Sequence, residues 1–286
     1  MKNFVLAVTV LALCSLSFAG TPGPKRITPQ QEAEAAAAQE TAAQEIPKGL
    51  SATTNCSFTF TSGAKNTYLK YCVTVNGNIT QIQTPFGHEH IALGTIGEGY
   101  GLCNADFGVV EYHDWAGFGD SGNWNSPVTV SHNATSVKIA RTTSDGNWTL
   151  TQIISQAAGN SSIKVVMTLK NNTGVARNAY LVRYADVSAD SRFLNNFDAT
   201  QNTAAGWNSN VSGNPYGLVL QNVTTSPFAY QSAFTQNTFA PPNACAFAFN
   251  STNGLAAGIN GSVEMVYADL MPALGSKTAT MTYKGF

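Results

Sequence analysis

Short segments of alternating apolar and polar residues, separated by glycine and asparagine turns, run through the chain from Ser51 onward. A period of two residues is typical of a strand with one buried face. Val73–Val75 and Ile79–Ile82 show this alternation on either side of Asn76-Gly77, a dipeptide that tolerates the positive φ angles of a type I′ turn. The pattern predicts a β-hairpin at this position.

The same pattern continues through the rest of the chain. Three alternating runs, Val137–Arg141, Trp148–Gln156 and Ile163–Leu169, are joined by glycine-containing turns and predict an antiparallel meander. Further strand-like runs are Ala179–Val187, Tyr216–Gln221, Phe228–Phe234, Ala246–Phe249, Val263–Leu270 and Ala279–Tyr283. Because no helical pattern separates them, residues 51–286 are predicted to form one all-β domain, a large antiparallel β-sandwich of about a dozen or more strands.

The amino-terminal region does not share this alternation. Lys2, the apolar run Phe4–Leu16 and a small-residue cleavage site ending at Ala19 predict a secretory signal peptide over residues 1–19. Residues 20–50 are rich in Ala, Gln and Glu and predict a short helical spacer or a disordered arm. We therefore expect a secreted or extracytoplasmic protein, in the periplasm or outside the cell, with no membrane span.

The charge content of the chain excludes several classes of partner. Charged residues make up 11% of the sequence, against about 25% in an average soluble protein, while 43% of the residues are hydrophobic. The 15 basic and 16 acidic side chains nearly cancel. A nucleic-acid backbone or an anionic membrane surface requires a cluster of basic residues, which this sequence does not contain. We therefore expect neither nucleic acid nor a membrane surface as a partner.

The cysteine count agrees with an oxidising compartment. Removing Cys14 with the signal peptide leaves four cysteines, and four cysteines allow three disulfide connectivities. We favour pairing Cys56 with Cys72, because these two residues lie in neighbouring predicted strands, and Cys103 with Cys245.

All four histidines lie between residues 88 and 132. On a strand, His88 and His90 point to the same face, and His113 is a candidate third ligand from an adjacent strand. Three neutral imidazoles and one open position are the ligand set of a catalytic zinc ion. This cluster predicts a metal-dependent hydrolase, a lyase or another carbohydrate-active enzyme; the alternative is that the histidines bind backbone carbonyls at the rim of the sandwich.

Oxygen-bearing side chains follow the predicted strand that ends at Val187. Asp186, Ser188 and Asp190 occupy alternate positions, in a pattern similar to the calcium loop in which side chains at positions 1, 3 and 5 converge on a hard cation. Asp198 is a candidate to complete the ligand shell. The alternative is a solvated turn, and calcium and zinc are the candidate cofactors that these two clusters offer.

Arg183 lies between Leu181 and Ala185 on an alternating strand, which places its side chain on the inward face. Because a buried charge needs a partner, we expect Arg183 to pair with a carboxylate.

Aromatic residues lie in two stretches that are rich in glycine and asparagine. Trp115, Phe118 and Trp124 belong to the first stretch, and Trp207 belongs to the second. Flat rings beside amide and carboxylate groups suit the apolar faces and the hydroxyls of sugars. The favoured interpretation is a secreted β-sandwich that binds an extracellular carbohydrate or cell-wall polymer through these loops. The alternatives are the enzyme described above and a structural surface or matrix protein.

Overall fold

A computed structural model of the protein describes residues 55–91, 97–106, 110–117, 119–120, 122–157, 161–208, 215–225, 228–236, 244–245 and 256–286. These residues contain 18 strands and two short 3-10 turns, and every strand pairing between named strands is antiparallel. The structure therefore confirms the predicted all-β class and the large β-sandwich. The predicted signal peptide (1–19) and arm (20–50) lie outside the described residues.

The strands form three sheets. The three-stranded sheet consists of β1 (Phe58–Ser62), β2 (Leu69–Val73) and β3 (Ile79–Gln83). The six-stranded sheet contains, in spatial order, β15 (Tyr230–Gln236), β17 (Ser262–Met271), β11 (Arg177–Asp186), β4 (Glu98–Asn104), β5 (Val110–Trp115) and β6 (Gly119–Asp120). The nine-stranded sheet contains, in spatial order, β16 (Ala256–Ile259), β12 (Asn195–Thr200), β13 (Thr203–Asn208), β14 (Gly217–Asn222), β18 (Ser276–Gly285), β10 (Ser162–Asn171), β9 (Trp148–Gln156), β8 (Ser136–Thr142) and β7 (Val128–His132).

The local turn signals in the sequence are confirmed. Strands β2 and β3 form the predicted hairpin, and Gly77 in the turn between them has a φ of +92°. Strands β8, β9 and β10 form the predicted meander, in which Gly146 has a φ of +75°. The strand predicted at Ala246–Phe249 lies outside the described residues.

All three sheets contribute side chains to one hydrophobic core, and alternation decides which residues enter it. Along β10, every second residue from Ile163 to Leu169 is fully buried, while Lys164 and Lys170 point to the opposite face. The inner face of the six-stranded sheet supplies the other half of the core. Its core residues include Tyr100, Leu102, Leu181, Ala185, Val263, Met265 and Tyr267. Each of the two large sheets therefore also has an outer face, where a site can form.

Arg183 is fully buried on the inner face of β11, and it pairs with the fully buried Glu98 on β4, as expected from the sequence. The Arg183 guanidinium also donates to Gln152 Oε1 and to the Gly77 carbonyl (3.1 Å). The Tyr283 hydroxyl donates to Glu98 at 2.8 Å. This network lies among apolar side chains and links the two large sheets to the hairpin of the small sheet.

Both favoured disulfides are present. Cys56 pairs with Cys72, and Cys103 pairs with Cys245. The first bond links the start of the described domain to β2, and the second attaches Ala244–Cys245 to β4. Within the part of the chain that the structure describes, no helix is long and apolar enough to cross a membrane.

Candidate functional site

An open groove lies on the outer face of the nine-stranded sheet, across β12, β13 and β14. Asp198 on β12 pairs with Ala205 on β13, and Ala205 pairs with Val219 on β14. Trp207 is two residues farther along β13, so alternation places its indole on the same face. The groove has a volume of about 360 Å³ and is lined by Asp198, Thr200, Thr203, Ala205, Trp207, Pro215, Val219 and Phe286.

Gly217 allows Phe286 to form one wall of this groove. Gly217 pairs with Trp207 in the register of β13 and β14. The backbones of Gly217 and Phe286 exchange two hydrogen bonds of 3.1 Å. A Cβ atom on Gly217 would lie 2.4 Å from the Phe286 ring, so only glycine lets this ring lie against the strand. The Phe286 side chain remains 43% exposed and offers an apolar surface to the groove.

The groove combines apolar surfaces with oxygen atoms at its open side. Trp207 is half-buried, whereas Asp198 and Thr200 are exposed. Rings and aliphatic groups bury the apolar face of a ligand, and the carboxylate and hydroxyls accept or donate hydrogen bonds. Among the described residues that line the groove, Asp198 carries the one acidic or basic side chain. The groove therefore offers a ligand one carboxylate beside apolar stacking surfaces and hydroxyls.

The other predicted aromatic ligands do not join Trp207. Trp115 is fully buried and packs against the rings of His113 and Tyr184, each at a centroid distance of 5.6 Å. Trp124 is 7% exposed, and the Arg141 guanidinium lies 5.5 Å from its ring centroid. Trp115 is the last residue of β5 and Trp124 forms an isolated bridge with Thr143, and both indoles lie in the protein interior. Phe118 lies outside the described residues.

The three histidines predicted to bind zinc have other partners. His88 Nδ1 lies 2.7 Å from Asp190 Oδ1, and its ring stacks on Tyr216 at 3.5 Å. His90 is fully buried and lies with Nε2 2.5 Å from the Thr84 carbonyl.

Burial lowers the pKa of His90 to about 4, so the imidazole is neutral at physiological pH. His113 Nδ1 contacts the Glu111 carboxylate. Among the described residues, no group of three or more His, Cys, Asp or Glu side chains is arranged to hold a metal ion, so the structure does not gather His88, His90 and His113 into a zinc site.

The four residues predicted to bind calcium are also divided. Asp190 is bound to His88, and Asp198 lies in the groove on the other large sheet. Asp186 and Ser188 remain on the six-stranded sheet side, and both are buried. The predicted calcium loop is therefore not formed as one unit, although Asp186 takes part in a different cluster.

That cluster lies on the outer face of the six-stranded sheet. Ser262 on β17 pairs with Gln236 on β15 on one side and with Asp186 on β11 on the other. Glu264 and Tyr184 pair on the neighbouring rung of the same face. Neither Glu264 nor Gln236 was predicted from the sequence, in which Glu264 and Asp269 are the two acids of the largely apolar run Ser262–Met271.

The second disulfide holds part of the chain against this outer face. Cys103 and Glu111 pair on β4 and β5, and the Ala244 N–H donates to Glu111 Oε1 at 3.1 Å. A Cβ atom on Gly101 would lie 2.7 Å from the Ala244 Cβ, so the glycine allows Ala244 to contact the strand. Part of the outer face is therefore buried, and it includes a second apolar cluster of Trp115, Val182, Tyr184, Phe234 and Val266.

Comparison with known proteins identifies similar folds but no family. The sequence matches neither a protein-family profile nor a curated protein. A bacterial glucoamylase complexed with acarbose is similar over 84% of this chain, at 9% identity and a TM-score of 0.58, and the chain covers 33% of that protein.

A putative aldose 1-epimerase from Escherichia coli K12 is similar over 80% of this chain and 99% of its own, at 11% identity and a TM-score of 0.46. A polysaccharide lyase is similar over 81% of this chain and 33% of its own, at 10% identity and a TM-score of 0.43. The chain thus spans about a third of the glucoamylase, and at this identity the likeness concerns the β-sandwich fold. The structural neighbours are carbohydrate-related proteins.

Proposed function

We propose that the protein binds an extracellular carbohydrate or cell-wall polymer in the groove formed by Trp207, Asp198 and Phe286. The observation that carries the proposal is the meeting of a half-buried indole, an exposed carboxylate and threonine hydroxyls in one open groove. A sugar ring has an apolar face that stacks on an indole and equatorial hydroxyls that bind carboxylate and hydroxyl oxygens.

The size and shape of the groove support this proposal. A volume of about 360 Å³ lies at the lower end of the range of small-molecule sites. Because the groove is open along the sheet, a polymer could cross it without an end entering a closed pocket. The fold shared with a glucoamylase that binds acarbose is compatible with this use, and the two disulfides are compatible with the predicted export.

The test is retention of the purified protein on insoluble polysaccharides and on a glycan array. Trp207→Ala is expected to weaken binding by roughly tenfold or more, because it removes the stacking surface. Trp207→Phe keeps an aromatic face and is expected to retain most of the binding. Asp198→Asn is expected to weaken binding less, because the amide oxygen still accepts a hydrogen bond.

Tyr230→Ala is the matched control. Tyr230 is an exposed aromatic residue (47%) on β15 of the other large sheet, and its removal is expected to leave glycan binding unchanged. Equal retention of Trp207→Ala and the wild-type protein on the same glycan would refute the proposed site.

A further inference from the structure

Charge is unevenly distributed over the nine-stranded sheet. Its strands contain one acidic residue, Asp198, and six basic residues, which are Lys138, Arg141, Lys164, Lys170, Lys277 and Lys284. Arg141 and Lys277 lie on the inner side, where they contact the carboxylates of Asp114 and Asp269. The other four are lysines of the outer face, because each alternates with buried core residues. The outer face is therefore positively charged, although the whole chain is nearly neutral.

Three of these lysines continue the groove across the sheet. Lys284 on β18 pairs with Val219, which lines the groove. Lys164 on β10 pairs with Thr282, two residues before Lys284. Lys164 and Lys284 are therefore diagonal neighbours on one face, with Cα atoms about 7–8 Å apart.

The third lysine lies farther along the same diagonal. Lys164 pairs with Ser155 on β9, and Lys138 on β8 pairs with Ile153, two residues before Ser155. Lys138 thus lies two strands and one rung from Lys164, which is about 12 Å from the usual strand spacing and rise. We call Lys284, Lys164 and Lys138 the lysine line. Together, the groove and the line extend over six neighbouring strands, from β13 to β8, or about 24 Å across the strands.

Hydroxyl groups lie between the lysines. Thr282 and Ser155 flank Lys164 on the same rung, and both are half-buried. Lys164 and Lys284 are exposed, and Lys138 is half-buried. Ammonium groups donate charge-assisted hydrogen bonds to anions, and hydroxyls donate to or accept from the hydroxyls of a sugar. The surface next to the groove therefore presents cations at intervals with hydroxyls between them.

The acid of the groove lies too far away to neutralise this line. Asp198 shares a rung with Lys284 through Ala205 and Val219, at a distance of three strands or about 14 Å. Exposed charges farther apart than the Debye length, about 8 Å at physiological ionic strength, are largely screened from each other. The lysines therefore remain available to an anionic ligand.

We propose that the ligand of the groove is an acidic polysaccharide, whose chain continues from Trp207 over the lysine line and places carboxylate or sulfate groups on the lysine ammonium groups. The inference rests on the proposed function, because the groove holds one end of this path. Charge complementarity favours an acidic chain, since a neutral polymer forms no ion pair with the lysines. Spacing favours a polysaccharide over nucleic acid, because duplex DNA carries one negative charge per about 1.7 Å, whereas the lysines lie about 7–12 Å apart.

Binding to paired polymers that share a backbone tests the inference. The probes are polygalacturonate with its methyl ester, and dextran sulfate with dextran, so that each pair has one acidic and one neutral member. The wild-type protein is expected to bind an acidic member roughly tenfold more tightly than its neutral partner, because each exposed ion pair contributes a factor of up to about five. The pair that shows this difference separates carboxylate from sulfate recognition. Added salt is expected to reduce the difference.

Two lysines of one strand provide a matched pair of variants. Lys164 and Lys170 are both exposed on the outer face of β10, but Lys170 lies three rungs from Lys164 and outside the lysine line. Lys164→Gln is expected to weaken binding of the acidic polymer roughly threefold, and the triple variant Lys138→Gln/Lys164→Gln/Lys284→Gln roughly tenfold or more. Lys170→Gln is expected to bind like the wild type. Equal losses in Lys164→Gln and Lys170→Gln would overturn the inference, because positive charge would then act without a defined position.

Failure of this inference differs from failure of the proposed function. Retention on neutral polysaccharides alone, lost in Trp207→Ala, would overturn the acidic ligand and leave the groove as a carbohydrate site. Tighter binding of a single-stranded oligonucleotide than of any acidic polysaccharide would also overturn the acidic polysaccharide. Retention on no polysaccharide would overturn the proposed function and this inference together.

Discussion

Replacing Glu98 by glutamine removes one negative charge from the interior without changing the shape of the side chain. The Glu98 carboxylate contacts the Arg183 guanidinium and accepts hydrogen bonds from the Ile79 N–H (2.6 Å) and the Tyr283 hydroxyl (2.8 Å). In Glu98→Gln, an amide NH₂ group replaces one carboxylate oxygen. At that contact a hydrogen-bond donor then faces another donor, so the hydrogen bond is lost. The Arg183 charge, at zero exposure, then has no anionic partner in this network.

The expected cost follows from this geometry. Removing one member of a buried ion pair destabilises a protein by about 3–5 kcal/mol, because the remaining charge stays buried. For a domain of this size, about 1 kcal/mol changes the melting temperature by roughly 2–4 °C. Glu98→Gln is therefore expected to lower the free energy of unfolding by about 3–5 kcal/mol and the melting temperature by roughly 6–20 °C. Urea unfolding monitored by tryptophan fluorescence measures the first quantity directly.

A half-buried ion pair in the same protein is the control. The side chains of Lys277 and Asp269 are 35% and 10% exposed, whereas those of Arg183 and Glu98 are fully buried. Lys277→Met is expected to cost about 1 kcal/mol, because solvent screens this pair in part. In the double variant Glu98→Gln/Arg183→Met, no buried charge is stranded, so part of the lost stability should return. A Glu98→Gln protein within about 1 kcal/mol of the wild type would show that Glu98 does not compensate Arg183 in the folded state.

Two further predictions concern a buried imidazole and a close backbone approach. Burial lowers the pKa of His90 from 6.5 to about 4, so between these pH values the unfolded chain binds a proton that the folded chain does not. The protein should therefore lose about 3 kcal/mol of stability as the pH falls from 6.5 to 4. Urea unfolding at several pH values should show a weaker pH dependence in His90→Gln than in the wild type, and identical slopes would contradict the neutral, buried state of His90. In Gly99→Ala, the added Cβ would lie 2.0 Å from the Asp114 carbonyl oxygen, a backbone atom that cannot move aside, so a loss of at least about 3 kcal/mol is expected. Gly174→Ala, where an added Cβ meets open space among the described residues, should stay within about 0.5 kcal/mol of the wild type in the same measurement.

The strands that the sequence predicted are those with strong local signals. The hairpin around Gly77 and the meander of β8, β9 and β10 combine alternating side chains with turn residues that accept positive φ angles. Strands β12 and β13 were not predicted, because their sequences are rich in Asn, Ala, Asp and Gly, which have low strand propensity. Pairing on both sides holds them in the nine-stranded sheet. Strand β4 was missed for a similar reason, since its glycines Gly99 and Gly101 serve close approaches by other segments.

The candidate sites depended even more on neighbours that are distant in sequence. Trp207 was named from its Asn- and Gly-rich surroundings, and it lies in the groove. Trp115 was named on the same grounds but is buried, because it lies on the covered face of β5. Asp186 was grouped with Asp190 by spacing, whereas the sheet pairs Asp186 with Ser262 on β17. Register between strands cannot be read from the composition of either strand alone.

The linear sequence was sufficient for the properties that depend on composition and local pattern. These are the all-β class, the low charge content and the inward position of Arg183, whereas the sequence only favoured the two disulfide pairs that the structure contains. Folding in three dimensions was needed to show which carboxylate meets Arg183, which indole stays accessible and which oxygens share a face. The physical reason is that alternation assigns each side chain to a face, but strand order and register assign it neighbours, and those arise from packing across the whole domain.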